Sequence, residues 1–290
     1  MPARINLNLE SITAQRNLGI TNQRFQQSVE RISSGLRISR AADDAAGLTV
    51  SEKLRAQFKG LDMAVRNSQD AISLLQTGEG ALNEVHAMLQ RMRELAVQGT
   101  NDTFNSIDRQ SLKDELAQLR IEIDRIANVT QFNSKKLLQG SQTFQFHIGA
   151  NTETLFESLQ ISPISTTTEV IGSATVAGAS TLSLAVTQVS TADTAARVTF
   201  LTLVSSLDDA IEDINARRAE LGAFQNRLEH TIRSLQVQSE NTKASESRIR
   251  DADIAAEMGT FVKNQILQQS AIAIIAQANQ VPTLVLQLLR

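Results

Sequence analysis

The side chains best suited to proton transfer or metal binding are scattered along this chain. Its three histidines, His86, His147 and His230, fall in three different segments. None has a cysteine, histidine or carboxylate at a recognised metal-ligand spacing, so each is read as a surface or packing residue. Two pairs of adjacent carboxylates, Asp43-Asp44 and Asp208-Asp209, could in principle divide acid and base roles. Neighbours on a helix point about 100° apart and rarely converge, so these pairs are better read as charges near helix N-termini. Gly78-Glu79-Gly80 is followed by no Lys-Ser/Thr and opens no strand-to-helix turn, so it is not a phosphate loop. No catalytic, cofactor-binding or metal site is expected, and an enzyme is not the expected class.

Composition narrows the class further. The chain has 290 residues and no cysteine, tryptophan or tyrosine, with only ten phenylalanines. Aromatic side chains bury the most area each, so a core without them must use long repetitive seams of Leu, Ile, Val and Ala. Without cysteine, disulfides and thiolate metal sites are both excluded. The formal charge is -3, which gives nucleic-acid binding no electrostatic support. The opening Met1-Pro2-Ala3-Arg4-Ile5-Asn6 lacks a cationic stretch followed by an apolar one, so no signal peptide of that type is expected.

The elements that would hold such seams follow from spacing. In residues 5–38, Phe25, Val29, Ile32 and Leu36 step by 4, 3 and 4, with Ile5, Leu9 and Ile12 as an earlier piece in shifted phase. Residues 39–47 are small or acidic and predict a joint. Residues 48–99 form a long helix, with a seam of Leu54, Phe58, Leu61, Val65, Ile72 and Leu75 that restarts at Leu82, Val85, Leu89 and Met92. The glycines at 78 and 80 are expected to mark a bend or phase change. About 50 helical residues would span roughly 75 Å. A polar turn at 100–106 leads to a second helix with Leu112, Leu116, Leu119, Ile123 and Ile126, ending near Asn128. The short connection favours an antiparallel pair.

Thr143 to Ile148 alternates as a strand does, and Leu155 to Ile161 can be the returning strand. Residues 162–195 lack helical periodicity and are read as part of a small β-bearing tip. Residues 196–252 return to heptads through Val204, Leu207, Ile211, Ile214, Leu221, Leu228, Ile232 and Leu235, with Arg218 and Gln225 as polar seam positions that would fix register.

The last stretch, Met258 to Arg290, carries charge only at Lys263 and Arg290 and is otherwise aliphatic and amide-rich. Apolar residues sit at nearly every helical angle, so several neighbours must cover it. It is too broken by amides for a membrane span, which wants roughly 20 mostly apolar residues. Burial among copies of the same chain is the expectation. The first block shares this amide-rich chemistry, so the two ends are expected to pack together. Amides suit a surface that is sometimes wet and sometimes buried, since they donate and accept without a charge to desolvate. The fold class expected is mainly α: long antiparallel coiled-coil rods, paired N- and C-terminal helices and a small β-hairpin tip. Assembly contacts are expected at Ile5, Leu9, Ile12, Phe25, Val29, Ile32, Leu36, Ile266, Leu267, Ile274, Ile275, Val281, Leu284, Leu288 and Leu289.

Several longer motifs carry a resemblance. Arg31-Ile32-Ser33-Ser34-Gly35-Leu36-Arg37-Ile38 followed by Ala41-Ala42-Asp43-Asp44-Ala45-Ala46-Gly47, and Asn67-Ser68-Gln69-Asp70-Ala71-Ile72 further on, resemble the N-terminal signature of bacterial flagellins. Leu221-Gly222-Ala223-Phe224-Gln225-Asn226-Arg227-Leu228, Ser247-Arg248-Ile249-Arg250-Asp251-Ala252-Asp253 and Ala276-Gln277-Ala278-Asn279-Gln280-Val281-Pro282 resemble its C-terminal half. The resemblance covers about 1–150 and 197–290, and it implies a short flagellin without large outer domains. It also implies three regions. Residues 1–42 with 254–290 would be an inner terminal-helix domain. Residues 43–161 with 196–253 would be a helical rod domain bearing the β-hairpin. Residues 162–195 would be a short variable outward tip.

The function implied is a secreted subunit that self-assembles into the extracellular flagellar filament for swimming. The alternative is a hook–filament junction protein or another helical type III secretion component. Implied partners are further copies of the chain, an export chaperone at the C-terminal stretch, and the flagellar cap and hook-junction proteins. A vertebrate toll-like receptor is a further implied partner, touching Gln90, Arg91, Leu95 and Glu115. No nucleic acid, membrane or cofactor is implied.

Overall fold

The computed structural model describes residues 8–140, 143–151, 157–161, 165–167, 182–191 and 193–288. The helices are α1 (Leu9–Ser34), α2 (Ala45–Gly99), α3 (Ser106–Val129), α4 (Leu182–Thr187), α5 (Asp193–Arg250) and α6 (Ile254–Leu288). Two antiparallel two-stranded ladders follow α3: β1 (Gln131–Phe132) with β2 (Lys135–Lys136), and β3 (Phe144–His147) with β4 (Ser158–Ile161). The chain forms two compact units, 1–58 with 240–290 and 59–239, and the limits fall inside α2 and α5.

In the second unit, α2 buries Leu61, Ala64, Ser68, Ala71, Leu75, Gly78, Leu82, Val85, Leu89, Met92, Ala96 and Gly99. The steps alternate 3 and 4 throughout, which is an unbroken heptad. The expected phase change at Gly78 and Gly80 therefore does not occur. Gly78 is itself a seam position, where a β-carbon would stand 4.0 Å from Leu137 and from Leu221. The seam also runs through Ala64 and Ala71, with Val65 and Ile72 half-buried beside it. The α5 seam holds Leu203, Leu207, Ala210, Ile214, Leu221, Leu228 and Leu235.

Polar pairs give α2 and α5 an antiparallel register within this unit. Arg93 meets Asp208 at 2.6 Å, Gln225 donates to Glu79 at 2.9 Å, and Ser239 donates to Asp62 at 2.7 Å. Gln225 thus fixes register, as its seam position predicts. Helix α3 starts at a complete capping box, in which the Asn105 side chain accepts from Ile107 and Asp108 and the Asp108 side chain accepts from Asn105. It buries Leu112, Leu116 and Ile123 on the expected spacing, and also Arg109 at 2 % exposure, where Asn101 O and Asp102 lie beside the guanidinium.

The β3–β4 hairpin pairs Phe144 with Ile161 and His147 with Ser158. The β1–β2 ladder, by contrast, was not expected. Its two-residue turn places Asn133 at φ 48° and Ser134 at φ 63°, the conformation of a type I′ hairpin. The segment read as wholly non-helical contains α4, whose Val186 is buried in the core, as is Val189 just after it. Lys113 of α3 donates to Val189 O at 2.7 Å. The remainder of 162–181 lies largely outside the described residues.

In the first unit, α1 ends at Gly35 in the left-handed region, φ 71°, with its N–H donating to Arg31 O. The joint that follows is tied to the α5–α6 joint by backbone bonds. Arg37 and Ile38 donate to Arg250 O, and Ala252 donates to Gly35 O. Ile38 is buried there, and Arg250 reaches Glu52.

Candidate assembly surfaces

Helices α1 and α6 pair antiparallel, which brings the two ends together. Asn8 caps α1 and donates to Ala278 O at 2.8 Å, while Ser11 Oγ donates to Asn279 at 3.0 Å. Phe25 stacks on Phe261 with ring centroids 4.9 Å apart, and Arg31 lies 3.8 Å from Glu257. The covered residues step by 3 and 4 on both helices: Ser11, Ala14, Leu18, Thr21, Phe25, Ser28 and Ile32 against Glu257, Phe261, Asn264, Gln268, Ala271, Ile275 and Ala278.

The best-buried members of this seam are small or polar: Ser11, Ser28, Asn264 and Ala278. Leu18, Ile32 and Ile275 are half-buried on the seam, but many other aliphatic side chains face solvent. Leu9, Ile12, Ile20, Val29, Met258, Val262, Ile266, Leu267, Ile272 and Ile274 are all exposed. The pair differs from an ordinary helix hairpin in that many large aliphatic side chains stay outside, while its inside mixes small and polar residues with the Phe25–Phe261 stack. Exposed apolar side chains in this number make the pair a candidate interaction surface.

The expected assembly residues separate accordingly. Leu9, Ile12, Val29, Ile266, Leu267 and Ile274 lie on the exposed exterior. Phe25, Ile32 and Ile275 lie on the α1–α6 seam, and Leu36 is half-buried in a bridge to Asp251. The expected seam through Val29 is corrected to Ser28, because Val29 turns outward. Ile5 and Leu289 lie outside the described residues, as do the side chains of Val281, Leu284 and Leu288. Ile20, Met258, Val262 and Ile272 are exposed alongside them but are not among the expected residues.

A second surface lies on α2 and α3. Arg91 Nε and Nη2 both contact Glu115 Oε1 at 3.0 Å, and Nη1 contacts Glu94 at 3.2 Å. The hydrogen bond to Glu115, then that to Glu94, holds the Arg91 guanidinium protonated more firmly than usual. Gln90 Nε2 lies 2.9 Å from His86 Nε2. These groups form an exposed polar cluster. Leu95, expected among them, is 1 % exposed and belongs to the core, so it is not presented at this surface.

The histidines and paired carboxylates do not converge. His86 pairs with Gln90, the ring of His230 lies beside Arg233, and His147 accepts from Asn67 through its backbone. Asp43 accepts from the joint backbone, Asp44 from Gly47, and Asp208 binds Arg93. Among the described residues no cluster of three or more potential metal ligands occurs, and no helix is long and apolar enough to cross a membrane.

Comparison with known proteins agrees with this layout. Residues 5–143 match the model of the bacterial flagellin N-terminal helical region, and residues 204–289 match that of the C-terminal helical region. The chain is 48 % identical to a flagellin of Halalkalibacterium halodurans over 287 residues, covering 99 % of each. It is 46 % identical to a flagellin of Bacillus subtilis over 309 residues, covering 99 % of this chain and 100 % of that one. The crystal structure of Bacillus cereus flagellin is 33 % identical and covers 62 % of this chain and 94 % of that one, with a TM-score of 0.46.

Proposed function

The chain belongs to the bacterial flagellin family, and on that footing we propose that it is a structural subunit that polymerises into the extracellular flagellar filament, with the outward face of the α1–α6 pair as its principal assembly surface. The observation that carries this reading is the aliphatic surface this pair leaves uncovered. Leu9, Ile12, Ile20, Val29, Met258, Val262, Ile266, Leu267, Ile272 and Ile274 stay exposed, while Ser11, Ser28, Asn264 and Ala278 are the best-buried residues of its seam. Burying that exterior against neighbouring copies gains about 25 cal/mol per Å² of apolar area. Residues 1–42 with 254–290 would form the inner layer. Residues 43–161 with 196–253 would surround it, and 162–195 would lie outermost. This is a structural role, and no reaction is assigned to it.

Concentrated purified protein should form long filaments visible by electron microscopy. A chain lacking residues 258–290 should keep most of its helical circular dichroism and form none. Filaments from the truncated chain would remove the terminal pair from the mechanism.

The remaining partners follow the family resemblance: an export chaperone on the C-terminal stretch, and cap and hook-junction proteins at the filament ends. A vertebrate toll-like receptor would meet Gln90, Arg91 and Glu115, which share one exposed cluster. Arg91→Ala should lower the potency of the monomer in a receptor reporter assay by about tenfold, as loss of an interface arginine does. Identical dose–response curves would reject this partner.

A further inference from the structure

Ile107 is the most exposed large aliphatic side chain among the described residues, at 76 %. Its backbone is held firmly, because Asn105 Oδ1 accepts from Ile107 N at 2.8 Å within the α3 capping box. A lone exposed isoleucine is ordinary. A partly apolar groove elsewhere in the same unit is a second observation. Leu74 of α2, Phe132 of β1 and Phe144 and Phe146 of β3 line a groove of about 200 Å³, together with the polar side chains of Asn133, Lys135, Thr143 and Gln145. All three phenylalanines are half-buried, and they are three of only ten in the chain, so aromatic surface is concentrated here.

Ile107 cannot reach its own groove. The α2 stretch from Leu74 to Gly99 spans on the order of 35–40 Å at 1.5 Å per residue, and Ile107 follows the turn beyond it. The two ends also differ in charge. Asp108 adjoins Ile107, and Asp102, which shares Arg109 and Arg197, lies on the preceding turn. The groove rim carries Lys135, with Lys136 next to it, both exposed. A protrusion and its complement on separate parts of one molecule make a head-to-tail contact, which repeats without closing. Opposite charges around it select orientation.

We infer that Ile107 of one copy seats in the Phe132–Phe144–Phe146 groove of the next copy, giving the filament a second contact in addition to the terminal helices. This rests on the filament reading and names a contact within it.

The absence of native cysteine makes the test clean. Ile107→Cys and Thr143→Cys are combined in one chain, with each single variant as control. Filaments are treated with a thiol-to-thiol bismaleimide and dissolved in detergent. The double variant should give a ladder of covalent multimers, the single variants none, and dilute monomer none. Separately, Ile107→Asp should raise the critical concentration for polymerisation at least tenfold with unchanged circular dichroism, and Ile107→Leu should leave it near the original. Filaments of the double variant that yield no ladder, or an Ile107→Asp chain that polymerises like the original, overturn the contact while leaving the filament reading intact. Failure of the unmodified chain to polymerise overturns both.

Discussion

At the scale of single residues, the joint after α1 depends on one carboxylate. Asp43 Oδ2 accepts from the backbone N–H of Arg40 at 3.0 Å and of Ser39 at 3.2 Å, and from Ser39 Oγ at 3.3 Å. The Arg40 amide, then the Ser39 amide, holds the carboxyl below the ordinary aspartate range. A carboxylate depressed in the folded state stabilises the fold above its unfolded value, about 3.9, and loses that contribution as pH falls through the lower folded value. Acid therefore releases Ser39 and Arg40. Their amide chemical shifts should show a step below about pH 3.9, and Asp43→Asn should abolish it. Shifts that stay flat in the original chain down to about pH 2 would dismiss Asp43 as the anchor. From sequence the Asp43-Asp44 pair was legible as helix-start chemistry, but the particular amides were not. Arg109 was not legible either, because nothing in its neighbours distinguishes a buried seam arginine from an exposed one. Leu95 was read as a surface contact, yet it lies one helical turn from Arg91 and faces inward.

Among elements, the helices differ in how plainly their seams could be read. In α3 the large side chains at 4, 3, 4 and 3 spacing are the ones that pack. In α2 the true seam alternates large residues with Ala64, Ser68, Ala71, Gly78, Ala96 and Gly99, and small residues carry little hydrophobic signal. Gly78 looks like a break from sequence, yet it is a seam position, as is Gly99. A β-carbon at Gly99 would lie 2.4 Å from the Phe200 ring, whereas one at Gly80 would meet nothing within 4 Å. Gly99→Ala should therefore destabilise by about 1–3 kcal/mol through overpacking. Gly80→Ala should stabilise by about 0.5–1 kcal/mol, since mid-helix glycine is entropically costly. Urea unfolding curves of the two variants should shift in opposite directions, and a common direction would refute the packing assigned to Gly99. The β1–β2 hairpin escaped notice because its turn is Asn-Ser, without the glycine that usually signals positive φ at the second position.

For the molecule taken as a whole, the sequence disclosed the mainly helical class, the meeting of its ends and the family motifs. On the inner face of α1 it placed Phe25 and Ile32 correctly and misplaced Val29, which is exposed beside the buried Ser28. Hydrophobic periodicity reports the surface that will eventually be dry, and it is silent on whether the same chain or another one covers it. In α1 the periodic residues divide: Phe25 and Ile32 lie on the inner seam, whereas Val29 is exposed and Ser28 takes its place inside. On the proposed assembly reading, the aliphatic exterior of α1 and α6 also sets what conditions favour the polymer. Contacts made by aliphatic side chains bear no ions to screen, so moderate sodium chloride leaves them largely alone. Sulfate strengthens them by being excluded from protein surface, and cooling weakens them because their burial lowers heat capacity. A filament sealed by such a surface takes its cohesion from the surrounding water.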